Sequence, residues 1–173
     1  MIPPLLAGLI AVQASLPSTP DLGKAQAQCR SPETGPSFLV TVQGLKDRRG
    51  LLKLEIYPDD DDDFLADDNK LIAAGKVFRR VEVPTPASGP VRLCIRVPSA
   101  GRYAVSLLHD RDANRKFGLS SDGIGFAGNP KLGWSKPDAD AASADAGSGP
   151  TPIKIVMNYR HGLFSFRPIK KAR

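Results

Sequence analysis

A chain of 173 residues with 41 % hydrophobic content supports one domain with its own core, and it holds no run of eighteen apolar residues to cross a membrane as a helix. With 16 glycines, 16 prolines and no long helical periodicity, the composition favours an all-β fold. The net charge of +6 is uneven: seven of 18 acidic residues fall between Asp59 and Asp68, leaving 24 basic against 11 acidic side chains elsewhere, a balance of +13. No nucleic-acid motif accompanies this excess, so an anionic surface such as phospholipid, lipopolysaccharide or cell-wall polymer is the partner it predicts.

The first element is a short apolar run at residues 3–12, the length of a signal-peptide core. Ala25-Gln26-Ala27 supplies an A-x-A cleavage site, so residues 1–27 are expected to be a signal peptide and Gln28 the first mature residue. The spacer from the run to Ala27 is long, and no Lys or Arg precedes the run; a start codon upstream of Met1 would explain the second point. A tail at residues 28–36 leads to a β domain over residues 37–160.

Phe38, Val40 and Val42 alternate with Leu39, Thr41 and Gln43. After a charged turn at residues 44–50, Leu52, Leu54 and Ile56 return on one face, with Lys53 and Glu55 on the other. The two runs read as a hairpin ended by Pro58. The five aspartates at residues 59–63 repel one another and predict a solvated loop, with Phe64 and Leu65 anchoring a helical turn. Residues 77–83 are a third strand whose Arg79 and Arg80 require a wet face. Beyond a Pro-rich loop, Val91, Leu93, Ile95 and Val97 face inward, and Arg92, Cys94 and Arg96 face outward.

Tyr103, Val105 and Leu107 alternate with Ala104, Ser106 and Leu108, which predicts a half-buried strand with the larger residues inside. His109 and Asp110 fall at its end, where side chains leave a sheet and meet solvent or a ligand. Asp110, Asp112 and Asn114 match positions 1, 3 and 5 of a calcium loop. Arg115 replaces the glycine and Ser121 the glutamate that such a loop needs, so an Asx-rich turn is the competing explanation. Gly118, Gly123, Gly125 and Gly128 fit no phosphate-loop pattern and are expected to give positive φ in a long surface loop, pinned by Ile124, Phe126 and Trp134.

Residues 137–152 read as a flexible surface segment, and Ile153, Ile155 and Met157 as the inner face of a last strand. The tail at residues 161–173 interleaves Arg167, Lys170, Lys171 and Arg173 with Leu163, Phe164 and Phe166, a mix that suits a membrane surface or a packed chain end.

The run Gly101, Tyr103, Ala104, Val105, His109, Asp110, then Asn114, then Gly123, Gly125, Phe126 and Asn129, resembles the bacterial family known as domain of unknown function 2141. Val42, Gly44, Leu45, Gly50, Leu52 and Tyr57 are similar to that family's opening hairpin. The resemblance covers residues 37–160 and departs at Arg115, where the family has glycine, and near Asp138 to Ala142, which lacks an aromatic-acidic segment. It implies a secreted or periplasmic β-sandwich of transthyretin-like or immunoglobulin-like layout, with no catalytic residues.

The expected fold is therefore an antiparallel β-sandwich of about seven strands, with Val40, Leu52, Leu54, Ile56, Leu93, Ile95, Tyr103, Val105, Leu107 and Ile155 in its core. Two histidines without metal-ligand spacing offer no zinc site, and Ser106 and His109 have opposite parity on one strand, so no nucleophile–base pair is expected and the chain is read as a non-enzyme. Cys29 and Cys94 are expected to form a disulfide, because an exported compartment is oxidising and parity turns Cys94 outward, where the tail can be tied down. Three functions fit: a periplasmic binding or interaction module, an envelope-associated structural protein with a basic surface, and a weak calcium binder at Asp110, Asp112 and Asn114. No cofactor other than calcium is suggested, and the partner is an anionic envelope component or another periplasmic protein.

Overall fold

A computed structural model describes residues 16–133, 135–163 and 165–169. The apolar run at residues 3–12, and Trp134, Phe164, Lys170, Lys171 and Arg173, lie outside the described residues. The described strands are β1 (Ser37–Gln43), β2 (Leu51–Pro58), β3 (Arg79–Pro84), β4 (Val91–Arg96), β5 (Gly101–Asp110), β6 (Gly123–Phe126), β7 (Ser143–Ala146), β8 (Pro150–Val156), β9 (Asn158–His161) and β10 (Ser165–Pro168). Among the described residues, helix is confined to α1 (Lys24–Ala27), α2 (Asp68–Ala73) and a 3-10 turn, Asp140–Ala142.

Two sheets face each other. The smaller runs β4-β1-β8, and the larger runs β10-β9-β6-β5-β2-β3 with β7 paired to the first half of β5. Every pairing is antiparallel except β1 with β8, which is parallel. All ten residues expected in the core are buried, and each buried Leu or Ile contributes about 1.5–3 kcal/mol relative to exposure.

The expected hairpin of residues 37–58 is not one. β1 belongs to the small sheet and β2 to the large one, so residues 44–50 carry the chain across the core. Phe38, Val40 and Val42 then face Leu52, Leu54 and Ile56 from the opposite layer. Alternation tells which side of a strand is apolar; it does not tell which strand lies beside it.

The count of strands exceeds the expected seven because three segments read as loop or tail are paired. β6 lies inside the glycine-rich loop, and β7 with the 3-10 turn inside residues 137–152, where Ala139, Ala142 and Ala146 are buried. β9 and β10 extend the large sheet beyond residue 160. Gly123 and Gly125 serve close packing rather than positive φ. A Cβ on Gly123 would strike the Tyr159 ring, and one on Gly125 would lie 2.6 Å from Ile155 Cγ2 and 2.9 Å from the Val156 carbonyl oxygen.

The large sheet is covered on both faces. Residues 59–78, with α2 and the 3-10 turn, fold over its outer side and build a second apolar cluster from Tyr57, Phe64, Leu71, Phe78, Ala104 and Phe126. The Tyr57, Phe64, Phe78 and Phe126 rings meet edge to face at centroid distances of 5.4–5.7 Å. Every residue of β5 from Tyr103 to Asp110 is buried in consequence. The wet face expected at Arg80 is likewise filled: its guanidinium donates to Glu55 at 2.8 Å and Asp68 at 3.0 Å, three charges held in one buried network.

Cys29 and Cys94 are bonded, with Cα atoms 6.0 Å apart across a separation of 65 residues. The half-buried Cys94 lies between the inward-facing Leu93 and Ile95, as strand parity requires.

Candidate functional site

The strand-end residues converge where the connection at residues 44–50, the loop at residues 111–122 and β9 meet. His109 is not open to a ligand, as strand-end position had suggested: it is 0 % exposed. Its Nε2 lies 2.9 Å from the Arg49 carbonyl oxygen, which can only accept, so Nε2 carries the proton. Nδ1 must then accept from the Tyr159 hydroxyl at 2.6 Å, and that hydroxyl accepts from the Lys46 amide at 3.0 Å. Burial holds the imidazole below the ordinary histidine range and pushes the Tyr159 phenol up to about 12. The ring joins β5, β9 and the crossover from β1 to β2.

Gly50 sets the distance of that crossover. Its φ is +70°, and a Cβ would collide with the Asp110 carbonyl oxygen. Arg111 closes the same corner, pairing with Asp47 through Nε at 2.9 Å and through Nη2, and donating to the Ser121 carbonyl at 2.7 Å. The Arg111 hydrogen bond holds the Asp47 carboxyl below the usual carboxylate range.

Asp110, Asp112 and Asn114 do come together, as an Asx-rich turn. Asp110 accepts the Asn114 amide at 3.2 Å and the Arg115 amide at 2.7 Å. Asp112 accepts from the amide and side chain of Asn114, whose own oxygen accepts the Lys116 amide at 2.7 Å. Arg115 has φ +63°, the left-handed region where glycine is at ease. Asp122 is the residue sequence spacing did not bring in. The β5–β6 register pairs His109 with Gly123, which sets Asp122 beside Asp110. Asp110, Asp112 and Asp122 each bring an oxygen within 4.8 Å of the others, while Asp122 accepts the Arg111 and Gly118 amides. Burial, then the Asp112 hydrogen bond and the Asp122 charge, raise the Asp110 carboxyl; the loop amides oppose this. A hard cation at this point would compete with amides that already occupy both oxygens of Asp110 and of Asp122.

A second feature lies on the outer side of the large sheet. Leu65, Phe117, Leu119, Ile124, Leu132 and Phe166 line an apolar groove of about 270 Å³. Phe117 is 43 % and Leu119 61 % exposed, and the Phe117 and Phe166 rings lie 6.0 Å apart. Lys136 stands at the rim, its ammonium donating to the Asp61 and Phe64 carbonyls at 2.6 and 2.7 Å, with no carboxylate partner among the described residues. Exposed Lys116 and Arg167 adjoin Phe117 and Phe166 in sequence. The signal for this groove in the sequence is the apolar pair Phe117 and Leu119 inside an otherwise polar loop.

No helix among the described residues is long and apolar enough to cross a membrane. No curated protein and no solved structure matches the chain. The family model of DUF2141, described as an uncharacterized protein conserved in bacteria, matches residues 40–154, from within β1 to within β8, and the chain belongs to that family.

Proposed function

We propose that this chain is a non-catalytic binding module of an oxidising compartment, periplasmic or secreted, and that its ligand is an apolar chain with an anionic head. The exposed apolar groove with its basic rim carries this reading. Solvated Phe and Leu side chains grouped in a concavity mark a surface that gains by being covered. The ammonium of Lys136, bonded to carbonyls rather than carboxylates, is left to attract an anion. The Cys29–Cys94 bridge supports the compartment, because such bonds persist where thiols are not kept reduced. The histidine of the strand-end corner supports a non-catalytic role, since both its ring nitrogens are engaged within the fold.

The test is calorimetric titration with decanoate and decyl phosphate below their micelle concentrations, against decyltrimethylammonium as the cationic control. The anionic pair is expected to bind and the cation to bind more weakly. Leu119→Asp should weaken decanoate about tenfold, the loss of roughly 1.4 kcal/mol of apolar contact. Equal binding of all three, or of none, overturns the reading. Binding confined to anionic vesicles would instead make the basic surface, with Arg160, Arg167 and the 70 % exposed Leu163, an envelope-docking face.

A further inference from the structure

We propose that the mature protein retains residues 16–27, and that leader removal cuts between Ala14 and Ser15, not after Ala27. The inference rests on the export reading and concerns where the exported chain begins. A cut after Ala27 would delete parts of the folded domain. Ala27 is 0 % exposed and belongs to the main core, with α1 packed on β3 and β4. Gly23 is buried with φ +76°, and a Cβ there would lie 3.0 Å from the Phe78 ring and 3.1 Å from the Arg79 Cα.

The same segment covers an edge. β3 ends the large sheet, and its Arg80 amide donates to the Gly23 carbonyl at 3.3 Å. Without residues 16–27 that strand presents open backbone groups to any other chain. The segment also closes the buried charge network, where Arg80 Nη1 donates to the Thr19 carbonyl at 3.1 Å; separately, Lys24 pairs with Glu82 of β3 at 3.5 Å. Asn69 of α2 donates to the Leu16 carbonyl at 2.9 Å, so docking extends to the first described residue. The disulfide at Cys29 then fixes the far end of a strap that is already seated, rather than tying down a loose tail.

The sequence offers a cut that spares the strap. A leader peptidase reads small side chains at the first and third places before the bond, next to an apolar run. Ala14 and Val12 occupy those places, Val12 being the last residue of the apolar run at residues 3–12, so the long spacer to Ala27 disappears. One water adds to the Ala14 carbonyl carbon, the C–N bond breaks, Ala14 leaves as a carboxylate and Ser15 begins the mature chain as an amine.

The experiment is intact mass measurement, without reductant, of the chain expressed with this N-terminus in a bacterium that has a periplasm. A periplasmic chain beginning at Ser15 is expected. Ala14→Arg should block the cut, whereas Ala25→Arg, at an exposed position, should leave it in place. A periplasmic chain beginning at Gln28 overturns this inference and leaves the export reading intact. An uncut cytosolic chain with two alkylatable thiols overturns both. A second readout is the melting temperature of mature Gly23→Val, which strains φ and meets Phe78. It should fall by about 5 °C if the strap is retained, and an unchanged value overturns the proposal.

Discussion

His109 is neutral in the folded chain because burial disfavours its charged form, and its partners need the Nε2 tautomer. The unfolded chain, with an ordinary histidine near pH 6.5, takes up the proton first as pH falls. Stability from this group is therefore full above about pH 6.5 and is lost as pH drops below it toward the lower folded value. Asp110 works the other way, since its raised pKa makes the folded chain the tighter proton binder. Melting temperatures of wild type and His109→Gln between pH 7.5 and 5 isolate the histidine: the wild type should lose more on acidification. Tyr159→Phe leaves the Lys46 amide and His109 Nδ1 unpaired, so urea unfolding should show a loss of about 1–3 kcal/mol. Arg115→Gly relieves a left-handed residue and forfeits only a half-exposed contact with Glu82, and it should gain about 1 kcal/mol by the same measurement. The sequence singled out His109 but not its job, since Arg49 and Tyr159 lie 60 and 50 residues away.

At the scale of elements, β5 is the strand most legible in the sequence and also the one most altered by its surroundings. Its period of two placed Tyr103, Val105 and Leu107 correctly. The other parity, Ala104, Ser106 and Leu108, is buried as well, because residues 59–78 lie over that face. The aspartate run that opens that cover is exposed through residues 59–62, as repulsion predicts, yet Asp63 is buried and both ends of the run are pinned. Asp59 pairs with Arg102 at 3.0 Å, and Asp63 with Lys76 at 2.6 Å. Phe64, 1 % exposed between the Tyr57 and Phe126 rings, anchors the cover. Phe64→Ala should cost about 3–5 kcal/mol. Hydrogen exchange should quicken across residues 59–78 before it does in β1 and β4, and uniform loosening of both sheets would argue against an independent cover.

For the whole molecule, the disulfide joins the N-terminal strap to the small sheet and closes a span of 65 residues. In the chain-entropy account such a link stabilises by about 4 kcal/mol, so Cys29→Ser with Cys94→Ser should lower the urea midpoint by that equivalent. The sequence by itself determined the compositional class, the inward faces of β1, β2, β4, β5 and β8, the cysteine pairing and the Asx turn, because these rest on composition, on strand parity, on a count of two cysteines or on short-range hydrogen bonding. Only the tertiary structure decided that β1 and β2 lie in opposite sheets, that the glycine loop holds a strand, that Asp122 joins Asp110, and that Ala27 is core. Those facts depend on which distant surfaces meet, and a one-dimensional pattern of apolar and polar residues carries the facing of an element without the identity of its neighbour.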